Sequence, residues 1–133
     1  MRKNDILERI GQVLSQFEID LGYVIGSFLH SDDFEDVDVA VLATEDSSPY
    51  ENFRFSMLLA RKLEQEIEPR LEFDVKVLNT SPVNFQYEVI RTGELVFCGD
   101  EVRCIRYEER VLAEYLDYAP TSCWLDERFL VEA

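Results

Sequence analysis

Residues 36–42, Asp-Val-Asp-Val-Ala-Val-Leu, constrain the chain more than any other stretch. Successive side chains in an extended strand point to opposite faces. Asp36 and Asp38 therefore share one face while Val37, Val39 and Val41 share the other. Two carboxylates then stand about 7 Å apart at Cα, given a rise of ~3.3 Å per residue. A second apolar run, residues 21–26, precedes them and ends at Gly26-Ser27, where the chain can turn sharply and expose backbone N–H groups. Paired carboxylates beside such a turn suit a divalent cation and a phosphate.

The rest of the pattern predicts a single α/β (α+β) domain over residues 1–133. A helix over 4–18 carries Ile6, Ile10, Val13, Leu14 and Phe17 on its apolar side. Ser47, Ser48 and Pro49 open a helix over 50–68, with Phe53, Met57, Ala60, Leu63, Glu64 and Ile67 along one side and Pro69 as its stop. Residues 71–78 alternate again, with Leu71, Phe73, Val75 and Val77 on one face and Glu72, Asp74 and Lys76 on the other. Asp74 is a candidate third carboxylate, because three acids on one face repel one another unless a cation joins them.

Ser81 and Pro82 fit the N-cap and first position of a further helix, with Val83, Tyr87 and Ile90 inward and Gly93 beyond its end. Residues 93–99 read as a short strand. A last helix over 101–118 places Ile105, Val111, Leu112, Tyr115 and Leu116 on one side and Arg103, Arg106 and Arg110 on another. After Pro120, Trp124, Leu125, Phe129 and Leu130 make the segment through 133 too apolar for a solvated tail, so it is expected to pack on the domain or on a partner.

Charge and cysteine content narrow the function. With 28 acidic against 13 basic side chains, the net charge of −15 argues against direct nucleic-acid binding. A nucleotide site remains open, because Mg²⁺ can supply the positive charge a triphosphate needs. The acidic loop with Asp32, Asp33 and Glu35 fails as a calcium-binding EF-hand, since the sixth residue from Asp32 is Val37 rather than Gly. His30 reads as a surface or packing residue. Cys98, Cys104 and Cys123 have no metal-ligand spacing and are expected to be reduced thiols. With no signal-peptide core and no apolar run near the ~20 residues of a membrane span, a cytoplasmic protein is expected.

Gly26-Ser27, then Asp36-x-Asp38, then Asp74 on a later strand resembles the nucleotidyltransferase superfamily of DNA polymerase beta. Residues 78–100 with 106–120 look like the MNT-type antitoxins of HEPN/MNT toxin–antitoxin modules, and the two resemblances together cover about residues 20–120. The resemblance implies a mixed, twisted sheet of about four to five strands flanked by helices. It implies that Asp36, Asp38 and Asp74 hold two Mg²⁺ ions and act catalytically, and that Gly26 and Ser27 grip the phosphates of ATP. It also implies transfer of AMP to a tyrosine of a cognate HEPN ribonuclease toxin, and leaves a homo- or hetero-oligomer open. The spacer Phe28–Glu35 lacks the Gly and Arg of many relatives, which makes Lys76 a further candidate for phosphate binding. Two other readings stay open: an antitoxin that acts by docking alone, with Tyr107, Tyr115 and Tyr118 as contacts, or a nucleotidyltransferase for small molecules.

Overall fold

A computed structural model describes residues 2–31, 36–68 and 70–118. The chain runs α1 (Lys3–Leu14), β1 (Ile19–Ile25), a 3₁₀ turn (Gly26–Leu29), β2 (Asp36–Ala43), α2 (Pro49–Glu66), β3 (Glu72–Val77), a second 3₁₀ turn (Leu78–Thr80), α3 (Val83–Thr92), β4 (Glu94–Cys98) and α4 (Glu101–Tyr118). The four strands form one sheet in the order β3-β2-β1-β4. β1 pairs antiparallel with β2 and with β4, whereas β2 and β3 are parallel and joined through α2. The expected mixed sheet flanked by helices is therefore what the chain forms.

Two apolar clusters sandwich the sheet. On one face Val37, Val39 and Val41 of β2 and Phe73, Val75 and Val77 of β3 bury against Ile6, Ile10, Leu14, Leu59 and Leu63 from α1 and α2. On the other, Leu21, Tyr23 and Ala40 meet Val89 of α3 and Cys104, Tyr107 and Val111 of α4. The second cluster covers the β1 side of its face. Glu72, Asp74 and Lys76 on the edge strand remain exposed.

Several boundaries and faces differ from expectation. α1 stops at Leu14 rather than continuing to residue 18; Ser15 Oγ donates back to the Gln12 carbonyl at 2.6 Å. Phe17 lies beyond the helix and meets the Phe55 ring edge-on, 6.1 Å between centroids. α2 begins with a reciprocal capping box between Ser48 and Glu51, as Ser-Pro predicted. Its buried positions are Asn52, Leu59 and Leu63, while Phe53 and Met57 face solvent. In α3, Pro82 is the N-cap residue, and Ser81 Oγ instead donates to the Val77 carbonyl at 2.9 Å.

In α4 the inward positions are Cys104, Tyr107 and Val111, and Ile105, Leu112 and Leu116 are exposed. Tyr107 is thus a core residue rather than a docking contact. Its hydroxyl donates to Gln86 Oε1 at 2.7 Å, and Gln86 Nε2 donates to the Ser81 carbonyl at 2.7 Å. This relay satisfies one of the buried polar side chains and binds α4 to α3. Tyr115 stacks on Tyr87, ring centroids 3.9 Å apart. Cys98 and Cys104 form a disulfide, contrary to the expectation of free thiols. The Gly99-Asp100 turn between β4 and α4 brings their Cα atoms to 6.5 Å, a separation that such a bridge spans. The acidic residues Asp32, Asp33 and Glu35, Pro69, the Tyr118 side chain, Cys123 and the apolar segment after Pro120 lie outside the described residues.

Tyr107→Phe removes the only donor that this relay offers to Gln86 Oε1 and leaves a buried acceptor unpaired. It is expected to lower unfolding free energy by roughly 1–3 kcal/mol in urea titration. Gln86→Leu with Tyr107→Phe, which removes both partners, is expected to recover part of that loss.

Candidate functional site

The site is built where β1 ends and β2 begins. Gly26 has φ +84°, a left-handed conformation that L side chains rarely adopt. A Cβ there would stand 2.9 Å from Asp38 Oδ2, so any other residue would also have to push that carboxylate aside. The chain then forms a 3₁₀ turn whose Phe28 is buried in the core, with Lys3 of α1 lying 5.6 Å over the Phe28 ring and donating to the Ser31 carbonyl. Ser27 is thereby held exposed at the mouth of a pocket. The Ser27 N–H, at the opening of this turn, has no acceptor within the turn itself.

Register places the acids. Asp36 pairs with Glu72 and Asp38 with Asp74 across the parallel β2–β3 ladder, and partners in register present their side chains to the same face. Ser27, Asp36, Asp38, Glu72, Phe73 and Asp74 line one open pocket of about 380 Å³. Glu72 is a member that sequence reasoning passed over. Alternation had placed it on the right face, but only the register shows that it stands opposite Asp36. Lys76 is outside this pocket and pairs with Asp74, Nζ to Oδ2 3.2 Å. His30 is exposed and lies outside the pocket.

The electrostatics are those of negative charge only partly compensated by Lys76. Burial holds the Asp38 carboxyl above its ordinary pKa; Asp74 pushes it further up, Lys76 opposes, and Asp36 adds a smaller push. As the side chains stand, no three His, Cys, Asp or Glu among the described residues are close enough to hold a metal ion. The donor set nevertheless fits a hard divalent cation, which takes carboxylate oxygens and would offset both the burial and the repulsion that raise Asp38. Gathering Asp74 into that set requires it to leave Lys76. That pair is more than half exposed on both sides and costs little to break.

Because the ionised form of Asp38 is disfavoured in the folded state, its charge lowers stability above its folded pKa and has no such effect below the unfolded carboxylate value. Asp38→Asn is therefore expected to raise the thermal midpoint of the metal-free protein at pH 7, by about 0.5–1 kcal/mol of stability. The gain should disappear as pH falls through the carboxylate range. Added Mg²⁺ should raise the midpoint of the parent protein and not that of the variant. A parent midpoint that is unmoved by Mg²⁺ and a variant no more stable than the parent would contradict this electrostatic account.

Among the described residues no helix is long and apolar enough to cross a membrane. No curated protein matches the chain. Its fold is similar to solved structures of toxin–antitoxin complexes. One contains tri-AMPylated Shewanella oneidensis HEPN toxin with MNT antitoxin; the TM-score is 0.66 at 16% identity, over 90% of this chain and 92% of that one. Another is the toxin–antitoxin MntA–HepT, with a TM-score of 0.64 at 16% identity over 89% and 91% of the two chains. A toxin–antitoxin structure with AMP-PNP gives a TM-score of 0.64 at 17% identity, over 91% and 92%. The family model for Polymerase beta, Nucleotidyltransferase matches residues 8–102, a span that contains Gly26-Ser27, both aspartates of β2 and Asp74. The chain belongs to the polymerase beta nucleotidyltransferase family.

Proposed function

We propose that this chain is a Mg²⁺-dependent nucleotidyltransferase antitoxin that moves AMP from ATP to a tyrosine of a cognate HEPN ribonuclease toxin. The observation that carries this reading is the register of β2 on β3, which sets Asp38 against Asp74 beside the exposed Ser27. The likeness to the complexes of HEPN toxin with MNT antitoxin supports the choice of acceptor, and the AMP-PNP complex supports the choice of nucleotide.

In this reading Asp36, Asp38 and Asp74 hold two Mg²⁺ ions, which when bound neutralise the triphosphate and stabilise attacking and leaving oxygens. Ser27 donates its hydroxyl, and the turn after Gly26 its N–H groups, to the terminal phosphates, which aims the α-phosphorus at the β2–β3 face. Asp74, at the edge-strand side of the pocket, holds the acceptor hydroxyl and relieves it of its proton. The tyrosine oxygen forms a bond to the α-phosphorus as the bond to the bridging oxygen breaks and pyrophosphate departs. Lys76 draws on the same phosphates once Asp74 has turned to its partner.

A docking-only antitoxin is the second reading, favoured by the Asp74–Lys76 pair and by the exposed apolar side chains on α4. The chain, Mg²⁺, each labelled nucleoside triphosphate and the protein encoded in the neighbouring reading frame separate the two. Transfer of AMP to that protein is expected, with Asp36→Asn and Asp38→Asn each slower by roughly 10²–10³, the loss typical of removing transition-state charge stabilisation. A tight complex that forms without label, and equally well in both variants, would establish docking alone. Label on a small alcohol or amine without any protein acceptor would make this a small-molecule enzyme.

A further inference from the structure

We propose that the groove between α2 and the outer edge of β3 receives an extended, basic, hydroxyl-bearing segment of the acceptor protein and leads it to Asp74; this inference rests on the nucleotidyl-transfer reading above. β3 is an edge strand, with β2 on one side and open space on the other. Edge strands offer unpaired backbone groups that another chain can meet. Here the Phe73 N–H is met by Glu64 Oε2 at 3.1 Å and the Val77 carbonyl by Ser81 Oγ at 2.9 Å. In a parallel ladder alternate residues turn both backbone groups to the same side. Val75, midway between these two, therefore turns its N–H and C=O outward, and no group among the described residues is recorded as meeting them. One extended residue of a partner satisfies such a pair.

The opposite wall of the groove is apolar. Phe53 and Met57 of α2 are 61% and 54% exposed, large side chains on a helix whose buried stripe lies elsewhere. With Ala60 and the β3 edge they bound an open groove of about 340 Å³, enough for one or two side chains of an incoming segment. Phe73 and Asp74 line both this groove and the carboxylate pocket. A segment lying in the groove thus ends at the acid that meets the acceptor hydroxyl. The acids Asp36, Asp38, Glu72 and Asp74 at that end, on a chain of net charge −15, select a basic segment.

A small-molecule acceptor has no use for an unpaired strand edge and would leave Phe53 and Met57 in water. A polypeptide acceptor uses both.

The test places the photocrosslinker p-benzoylphenylalanine at position 57, and as a control at position 112 on α4, in the full chain co-purified with the protein encoded in the neighbouring reading frame. Crosslinks from position 57 are expected to map within a few residues of the hydroxyl that receives AMP, with none there from position 112. Met57→Glu should slow transfer by roughly tenfold while AMP-PNP affinity stays within about twofold, since the substitution touches an exposed contact and not the phosphates. Crosslinks confined to position 112, or none at position 57 together with wild-type transfer by Met57→Glu, would overturn the groove and leave the transferase reading intact. Crosslinks from position 57 to a basic segment with no AMP transferred by the parent protein would sink the transferase reading and leave the groove as a docking site.

Discussion

The parallel register of β2 on β3 is the constraint on which the site depends. Val37, Val39 and Val41 on one strand and Phe73, Val75 and Val77 on the other bury together under α1 and α2. Once those faces are buried, the two-residue period of a strand leaves Asp36, Asp38, Glu72 and Asp74 no choice but to share the opposite face. Each buried side chain of this size contributes about 1.5–3 kcal/mol, so the six together offset the like-charge repulsion of acids that stand largely in solvent, where it is screened. A slip of one residue would send the acids into the core. The packing that stabilises the domain is therefore what forces negative charge to collect on one face.

The turn that faces these acids is held by different means. Gly26 adopts a conformation closed to other residues, close against Asp38; Phe28 anchors the turn in the core, and Lys3 clasps it from α1. Ser27 is the short exposed segment between two fixed points. This helix-to-turn tie fixes the backbone after Gly26 through packing and the Lys3 contact.

Alternating segments were the most legible part of the chain. Residues 36–42 and 71–78 showed which side chains share a face, because strand geometry leaves no freedom in that respect. Which residue of β3 stands opposite Asp38 was not legible, since register is decided by tertiary packing; alternation made Asp74 a candidate third carboxylate, the family resemblance gave it a role, and Glu72 was passed over. The helices were misread for a related reason. α2 and α4 carry apolar residues on more than one side, and periodicity does not say which stripe turns inward. Packing settles it, with Leu59 and Leu63 of α2 and Cys104 and Val111 of α4 buried, and hydrogen bonds accommodate the polar groups that go in with them: Gln86 meets the Tyr107 hydroxyl, and the Asn52 amide reaches the Ser47 carbonyl at 3.4 Å. Phe53, Met57, Ile105 and Leu112 are left outside in consequence. The Cys98–Cys104 pairing was equally hidden, because it arises from a strand-turn-helix corner rather than from a recognisable spacing.

Crystals grown with Mn²⁺ and a nonhydrolysable ATP analogue test the central claim most directly, since the anomalous signal of manganese locates the cation independently of any activity. Manganese peaks within coordination distance of Asp36, Asp38 and Asp74, with the terminal phosphates against Ser27 and Asp74 released from Lys76, are what the shared face predicts. Carboxylates left pointing apart, with Asp74 still paired to Lys76 and no anomalous peak between β2 and β3, would contradict it.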